Sequence, residues 1–298
     1  MHSKNSPQRP EKAPEGDKTY LFESAPIGTA VITLAVPTII SSLVTVLYNL
    51  ADTYFVGMLN DPVQNAGVTL AAPVMLAFNA VNNLFGVGSS SLMSRSLGAK
   101  DYDSVAKSSA FGFYCSLFSG LLFSLLCFTF QDPLLGLLGA DETLLPYCVS
   151  YGRVILIALI PFMLQNAFQS FLVTAERPYF GLYITIAAGV TNIVLDALFI
   201  AVLRLGVVGA ALATTISQYI GGVIPLLYFI FPNKSKLRLC RARLDLRAIA
   251  KAGSNGASEF MTNISMSIVN MLYNWQLMRL MGSDGVAVFG VIMYVNFI

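Results

Sequence analysis

The chain has 298 residues, of which 55% are hydrophobic and only 11% are charged, and its formal net charge at pH 7 is +2. Soluble domains carry about 25% charged residues, so this composition excludes an ordinary soluble protein and indicates an integral membrane protein. The only histidine is His2, no P-loop motif occurs, and the four cysteines form no C-x-x-C pair. We therefore expect no enzyme activity, no bound cofactor and no histidine-based or cysteine-based metal centre.

The first 26 residues are polar and carry charges of both signs. They have neither an apolar core nor a small-residue cleavage pattern, so residues 1–26 are interpreted as a disordered tail rather than a signal peptide. Seven apolar runs follow, each long enough to cross a bilayer, which takes roughly 20 residues, and an eighth run is shorter. The runs lie at 27–56, 68–94, 108–130, 148–174, 180–203, 209–231, 256–281 and 286–298.

The distribution of lysine and arginine predicts the orientation of these runs. With the N-terminus in the cytoplasm, fifteen of the 18 basic residues lie on the cytoplasmic side, and the other three lie at helix ends. The positive-inside rule thus predicts a multi-pass protein of the plasma membrane with a cytoplasmic N-terminus. We interpret the basic connection at 234–252 as a topology anchor beside anionic lipid, not as a nucleic-acid surface.

A weak internal repeat indicates two related halves. Leu47-Tyr48-Asn49 in the first run matches Leu272-Tyr273-Asn274 in the seventh, and a glycine follows each asparagine by eight residues. Such repeats are typical of transporters built from two similar bundles. The predicted fold is therefore an all-α, polytopic transmembrane helix bundle. It would comprise a complete six-helix lobe at 27–233, the basic connection at 234–252, and the truncated start of a second lobe, one and a half helices, at 253–298.

Two aspartates within the apolar runs are the leading candidates for function. Asn192 precedes Asp196 by four residues and shares its helix face, and Asn49 precedes Asp52 by three residues. Asp52 and Asp196 are predicted to lie at similar depth, about 8–12 Å below the outer helix ends. Because two carboxylates that meet cannot easily both stay ionised, we expect a proton or metal cation to bridge them. A hydrogen-bonded packing pair without a transport role is the alternative.

Other polar or kinked positions within the runs leave alternatives open. Pro37 is expected to kink the first helix, either statically or as part of a moving element. Gln165 and Gln169 share a face that should contact other helices or a wet cavity rather than lipid. Glu259 fits either a helix-start charge or a role in gating or substrate contact. Thr214 fits either small-residue packing or an oxygen ligand for a hard cation.

Several stretches, which together span the chain from about residue 25 to 298, carry a family resemblance. They are Pro37-Thr-Ile-Ile, Tyr48-Asn-Leu-Ala-Asp52-Thr-Tyr-Phe-Val-Gly57, Ser94-Arg-Ser-Leu-Gly-Ala-Lys-Asp101, Glu176-Arg-Pro178 and Asn192-Ile-Val-Leu-Asp196. Through these motifs the chain resembles the multidrug and toxic compound extrusion (MATE) family of cation-coupled antiporters. The loop motif and the Asn-x-x-x-Asp motif are fairly specific in combination, although neither is specific alone.

The resemblance implies twelve helices in two lobes, and export of small organic cations in exchange for Na⁺ or H⁺. It places an ion site on Asp52, Asn192, Asp196 and Thr214, with Tyr48 gating or lining that site. It implies a monomer when the chain is complete, surrounded by membrane lipids, and no cofactor other than the coupling ion.

Two other functions stay open at this point. One is a flippase of lipid-linked substrates from the same broad superfamily, which should line its cavity with basic residues. The other is a truncated membrane fragment that does not transport.

Overall fold

The computed structural model describes residues 26–59, 61–138, 140, 142, 144–231 and 246–296. This part of the chain is helical and contains no β-strand, which confirms the predicted all-α class. The helices are α1 (Ile27–Gly57), α2 (Pro62–Gly98), α3 (Tyr102–Thr129), α4 (Gln131–Leu137), α5 (Leu145–Thr174), α6 (Pro178–Asp196), a π-helical turn (Ala197–Val202), α7 (Gly206–Ile230) and α8 (Leu246–Asn296).

Six helices in the described part are long and apolar enough to cross a membrane, as judged by length and composition. They are α1, the 68–98 portion of α2, α3, α5, α6 with its π-helical turn, and α7. These six helices correspond to the first six predicted runs, so the prediction of a multi-pass membrane protein is confirmed. Helix α8, which contains the predicted seventh run, is not among the six.

Helices α2 and α5 end in the same way. The Lys100 amide donates to the Leu97 carbonyl and the Asp101 amide to the Ser96 carbonyl, with Lys100 at φ 59°. The amides of Glu176 and Arg177 repeat this pattern with the carbonyls of Val173 and Leu172. Both helices therefore end in a Schellman motif, which turns the chain sharply toward the next span.

The structure departs from the predicted boundaries at two places, whereas the predicted break between the last two runs agrees with it. A short helix, α4, follows α3 and was not predicted. Helix α8 begins at Leu246, inside the predicted 234–252 connection, because charged residues exclude membrane burial without excluding helix formation. The runs 256–281 and 286–298 are two helical segments that meet at Gly282, where φ is 66° and ψ is −154°. The predicted tail, except Pro26, and residues 232–245 of the connection lie outside the described residues.

Helix packing leaves α1 attached mainly to α6. Among the described helices, α2 makes its most extensive contact with α8, and α5 makes its own with α7. At one end of α5, α6 and α7, Phe168 stacks on Phe229 with ring centroids 5.3 Å apart. Pro37 is buried within α1, and the helix continues on both sides of it. The pairing of α1 with α6 positions the acids described next.

Candidate cation site

The structure brings Asp52 and Asp196 together. Asp52 lies on α1, Asp196 is the last residue of α6, and their carboxyl groups are within hydrogen-bonding reach of one another. Asp196 is fully buried, and Asp52 is half-buried with its Oδ1 atom inaccessible. Two acids that are 144 residues apart in sequence thus share one interior location.

The carboxyl oxygens of this pair lack donors. Within the described residues, Oδ1 of Asp52 and both carboxyl oxygens of Asp196 have no hydrogen-bond partner. A buried acceptor without a partner costs about 1–3 kcal/mol, and more if it is charged. Two carboxylates cannot satisfy each other because both only accept hydrogen bonds. A proton shared by the pair, or a cation between them, relieves both the missing hydrogen bond and the repulsion.

Asn192 adds a neutral oxygen next to the acids. It lies one turn before Asp196 on the same face of α6, is 2% exposed, and its Oδ1 atom also has no partner in the described part of the chain. Asn49 of α1 is half-buried, and its backbone carbonyl accepts a hydrogen bond from the Thr53 hydroxyl at 2.9 Å. The Asn192 side chain therefore adds a third residue with an unsatisfied oxygen, and the predicted substrate-cavity or gating role of Asn49 stays a prediction.

A glycine allows α1 to approach α6 one turn before Asp52 and two turns before Asp196. Tyr48 packs its ring on Gly189, and its Cδ1 atom is 3.0 Å from the position that a Cβ atom on that glycine would take. The Tyr48 side chain also lies close to Thr45 of its own helix. Tyr48 thus lies beside the acid pair and holds the spacing of the two helices that carry it.

A π-helical turn begins at the residue after Asp196. In this turn, Ala197–Val202, the Leu203 amide donates to the carbonyl of Leu198, five residues earlier, at 2.8 Å. Gly209 of α7 accommodates the turn, because a Cβ atom there would lie 3.1 Å from the Phe199 Cβ atom. Single π turns inside α-helices frequently mark functional sites. Sequence reasoning missed this feature, since no proline or glycine interrupts the segment.

The antiparallel register of α6 and α7 places Thr214 near the acids in depth. Phe180 contacts Tyr228, and Phe199 contacts Gly209. The two helices are therefore in a constant antiparallel register, in which each step of one residue forward along α6 corresponds to one residue backward along α7. This register sets Thr214 level with Val194, between Asn192 and Asp196. Thr214 is half-buried, whereas the Thr215 hydroxyl donates to the carbonyl of Ala211 at 2.7 Å. Depth is thus compatible with the predicted role of Thr214, which stays a prediction.

Four other predicted residues lie away from the acid pair. Pro37 is fifteen residues before Asp52, about 22 Å along α1. Glu259 is exposed on α8, a helix that packs chiefly on α2. Gln169 donates through Nε2 to the Thr185 hydroxyl at 2.6 Å, and Gln165 lies against Gly221 of α7. A substrate or gating role for these four residues stays a prediction.

The donor set fits a hard cation or a proton. Carboxylate and amide oxygens favour ions such as Na⁺, whereas transition metals favour imidazole and thiolate ligands. Within the described residues, no group of three or more His, Cys, Asp or Glu side chains is placed to hold a metal ion. The site therefore offers the carboxyl groups of Asp52 and Asp196 and the amide oxygen of Asn192. None of the residues named for the site is basic.

The fold and the buried acids define a multi-pass helical membrane protein with a paired-carboxylate site inside its bundle. The MatE family model matches residues 37–198, more than half of the chain, and the chain belongs to this family of MATE proteins.

The relatives of known name are longer than this chain. It is 28% identical over 276 residues to the multidrug export protein MepA of Staphylococcus haemolyticus, a match that covers 92% of this chain and 61% of the relative. A solved inward-facing multidrug resistance MATE transporter superposes with a TM-score of 0.80 at 25% identity, over 89% of this chain and 61% of that one. A solved outward-facing MATE transporter gives 0.82 at 26% identity, over 94% and 62%. The chain thus spans about 61% of the length of the curated relative that it matches.

Proposed function

We propose that the protein is a secondary antiporter that exports organic cations in exchange for Na⁺ or H⁺. The observation that carries this proposal is the contact between the Asp52 and Asp196 carboxyl groups, three of whose oxygens have no partner among the described residues. The preferred distance between two such carboxyl groups depends on whether a proton or cation is bound between them. A proton or cation draws the two acids together, and without that load their repulsion drives them apart.

The positions of the acids connect this load to helix movement. Asp52 lies on α1, which is mostly exposed and packs mainly on α6, and Asp196 lies on α6 itself. Binding therefore alters the attraction between two whole helices rather than between two loops. An antiporter needs this property, because the coupling ion must bias the protein between two global states. The matched relatives, whose names describe multidrug export and inward-facing and outward-facing MATE states, support this proposal.

The test is efflux of ethidium, a flat organic cation, from cells or vesicles that contain the protein, with sodium and proton gradients imposed separately. We expect one gradient to drive efflux and Asp196→Asn to reduce the driven component at least about tenfold, since an amide cannot carry the exchanged charge. Asp103→Asn is the matched control, because Asp103 is an exposed acid near the start of α3. Both variants are first compared for membrane insertion.

Gradient-driven efflux by Asp196→Asn at the rate of the unmodified protein would overturn the proposal. Binding of a lipid pyrophosphate, with no efflux of ethidium under either gradient, would favour the flippase alternative instead. That alternative expects basic residues at the site, but the side chains grouped around Asp196 are acids and amides. The site chemistry therefore favours a cationic exchange partner.

A further inference from the structure

A stripe of buried polar residues extends from the acid pair along one face of α6. Thr185, Asn192 and Asp196 follow one another at spacings of seven and four residues and are 2%, 2% and 0% exposed. From Thr185 to Asp196 the stripe extends over eleven residue steps, or about 16 Å of helix. It leads toward Arg177, the end of α6 that the distribution of basic residues predicts to be cytoplasmic. A site made of two acids alone would not require buried polar residues over this length of helix.

A hydrogen-bonded cluster closes the far end of the stripe. Gln169 of α5 donates through Nε2 to the Thr185 hydroxyl at 2.6 Å and to the Gly181 carbonyl at 3.4 Å. The Thr185 hydroxyl donates to the same carbonyl at 3.1 Å. Gly181 leaves room for this amide, since a Cβ atom there would lie 3.0 Å from the Gln169 Oε1 atom. Gln169 therefore lies across the stripe within the first two turns of α6.

Unsatisfied acceptors from α5 and α7 lie at the depths in between. The register of α6 and α7 places Gln218 level with Val190, and Gly221, against which the Gln165 amide packs, level with Ala187. Gln165 and Gln218 are 8% and 7% exposed, and the Oε1 atom of each lacks a partner in the described part of the chain. Acceptors without donors thus recur at successive depths from Asp196 to Thr185.

The chemistry of these atoms indicates what contacts them. The unpartnered atoms of the stripe, and those of Gln165 and Gln218 at the same depths, are carboxylate or amide oxygens, so they require donors or a positive charge. Buried water supplies donors where polar groups converge, and a cation moving between such oxygens keeps part of its solvation shell. We propose that this stripe is the route by which the coupling cation moves between the acid pair and the Arg177 end of α6, and that the Gln169–Thr185 hydrogen bond is its gate. This proposal rests on the proposed function for the identity of the ion.

The first test is labelling of single cysteines in vesicles of known orientation, in a background where the four native cysteines are replaced by alanine. The probe is a membrane-impermeant, cationic methanethiosulfonate reagent, which reacts with thiolates and therefore needs water. We expect Asn192→Cys to react from the Arg177 side, and to react several-fold faster when Gln169→Ala removes the gate. Val190→Cys is the control on the same helix, because Val190 is 55% exposed on the outer, apolar face.

Two labelling outcomes overturn the route. One is an Asn192→Cys that reacts no faster than Val190→Cys. The other is an Asn192→Cys that reacts only from the opposite side. Because labelling requires no transport, it gives an answer even if ethidium efflux shows that the proposed antiport is wrong.

A second test separates release of the cation from its binding. Thr185→Val removes the hydroxyl group from the route with little change of volume. Because this change also removes the gate hydrogen bond, we expect the cation to leak without exchange, which slows gradient-driven efflux several-fold while the apparent affinity of the acid pair for the cation stays the same. Thr191→Val is the matched control, since the Thr191 hydroxyl donates to its own helix at Ala187 and lies off the stripe. Equal efflux by the two variants, or an equal loss of cation affinity, would contradict the gate.

Discussion

Tyr48 of α1 lies on Gly189 of α6, with its Cδ1 atom 3.0 Å from the position that a Cβ atom on the glycine would occupy. This contact is one turn before Asp52 on α1 and two turns before Asp196 on α6, so it determines how closely α1 can carry Asp52 toward Asp196. The phenol ring is larger than most side chains that line close helix crossings, which makes the absence of a Cβ atom on its partner essential.

Gly189→Ala should therefore separate the two acids without changing either of them. We expect a several-fold loss of apparent cation affinity in ethidium efflux, because the ring must move by a few tenths of an ångström to admit the methyl group. Gly28→Ala on α1 is the control, since no atom lies within 4 Å of the Cβ position there. An unchanged affinity in Gly189→Ala would show that the acids do not depend on this spacing.

The two adjacent threonines of α7 should differ in effect. Thr214 lies at a depth between those of Asn192 and Asp196, whereas the Thr215 hydroxyl donates to carbonyls of Ala211 and Val154 at 2.7 and 3.4 Å. We expect Thr214→Val to weaken the activation of efflux by the coupling ion several-fold. Thr215→Val should instead lower the melting temperature slightly, as expected for loss of a bond worth about 1 kcal/mol. The reverse pattern would remove Thr214 from the ion site.

The contact between α2 and α8 predicts a stability effect far from the acids. A Cβ atom on Gly88 would overlap the Ala252 carbonyl oxygen, and one on Gly256 would overlap the Leu84 carbonyl oxygen. Overpacking of this kind costs about 1–3 kcal/mol, so we expect Gly88→Ala to lower the melting temperature of the purified protein by several degrees. Gly253→Ala, with nothing within 4 Å of its Cβ position, serves as the control. Equal melting temperatures would show that α8 does not pack on α2 in this way.

Asp101 predicts a pH-dependent contribution at the start of α3. Its carboxyl accepts hydrogen bonds from the Ser104 hydroxyl at 2.6 Å and the Ser104 amide at 3.1 Å, and these bonds lower the pKa of Asp101 below its usual value of 3.8. Because the pKa is lower in the folded state, the stabilisation is present at neutral pH and is lost as the pH falls through the lowered pKa.

We therefore expect Asp101→Ala to reduce the melting temperature by about 2 °C at neutral pH, as is typical for loss of a helix cap. The difference between the variant and the unmodified protein should shrink as the pH is lowered below 4. A difference that stays constant with pH would show that the charge of Asp101 does not contribute.

The sequence was most informative where burial is energetically costly. Asp52 and Asp196 stand out because an acid in an apolar run needs a partner, and equal predicted depth sufficed to pair them. The span boundaries followed from hydropathy for the same reason. Helix α4 and the early start of α8 were not predictable in this way, because neither depends on membrane burial. Gln169 was expected to contact other helices or a wet cavity, but its partner Thr185 could only be found from the packing of α5 on α6.

The π-helical turn after Asp196 has a consequence for any mutational scan of this span. Asn192, Asp196 and Ile200 are all buried at a strict spacing of four residues, where an ordinary α-helix would begin to rotate its inward side away. A helical wheel drawn through Ala197 with the standard periodicity will thus misassign which of the last residues of the span contact acyl chains. In a tryptophan scan of this segment, the positions that tolerate substitution should follow the π-helical periodicity. Beyond Asp196 they should therefore be shifted by one residue from the positions that a regular α-helix predicts.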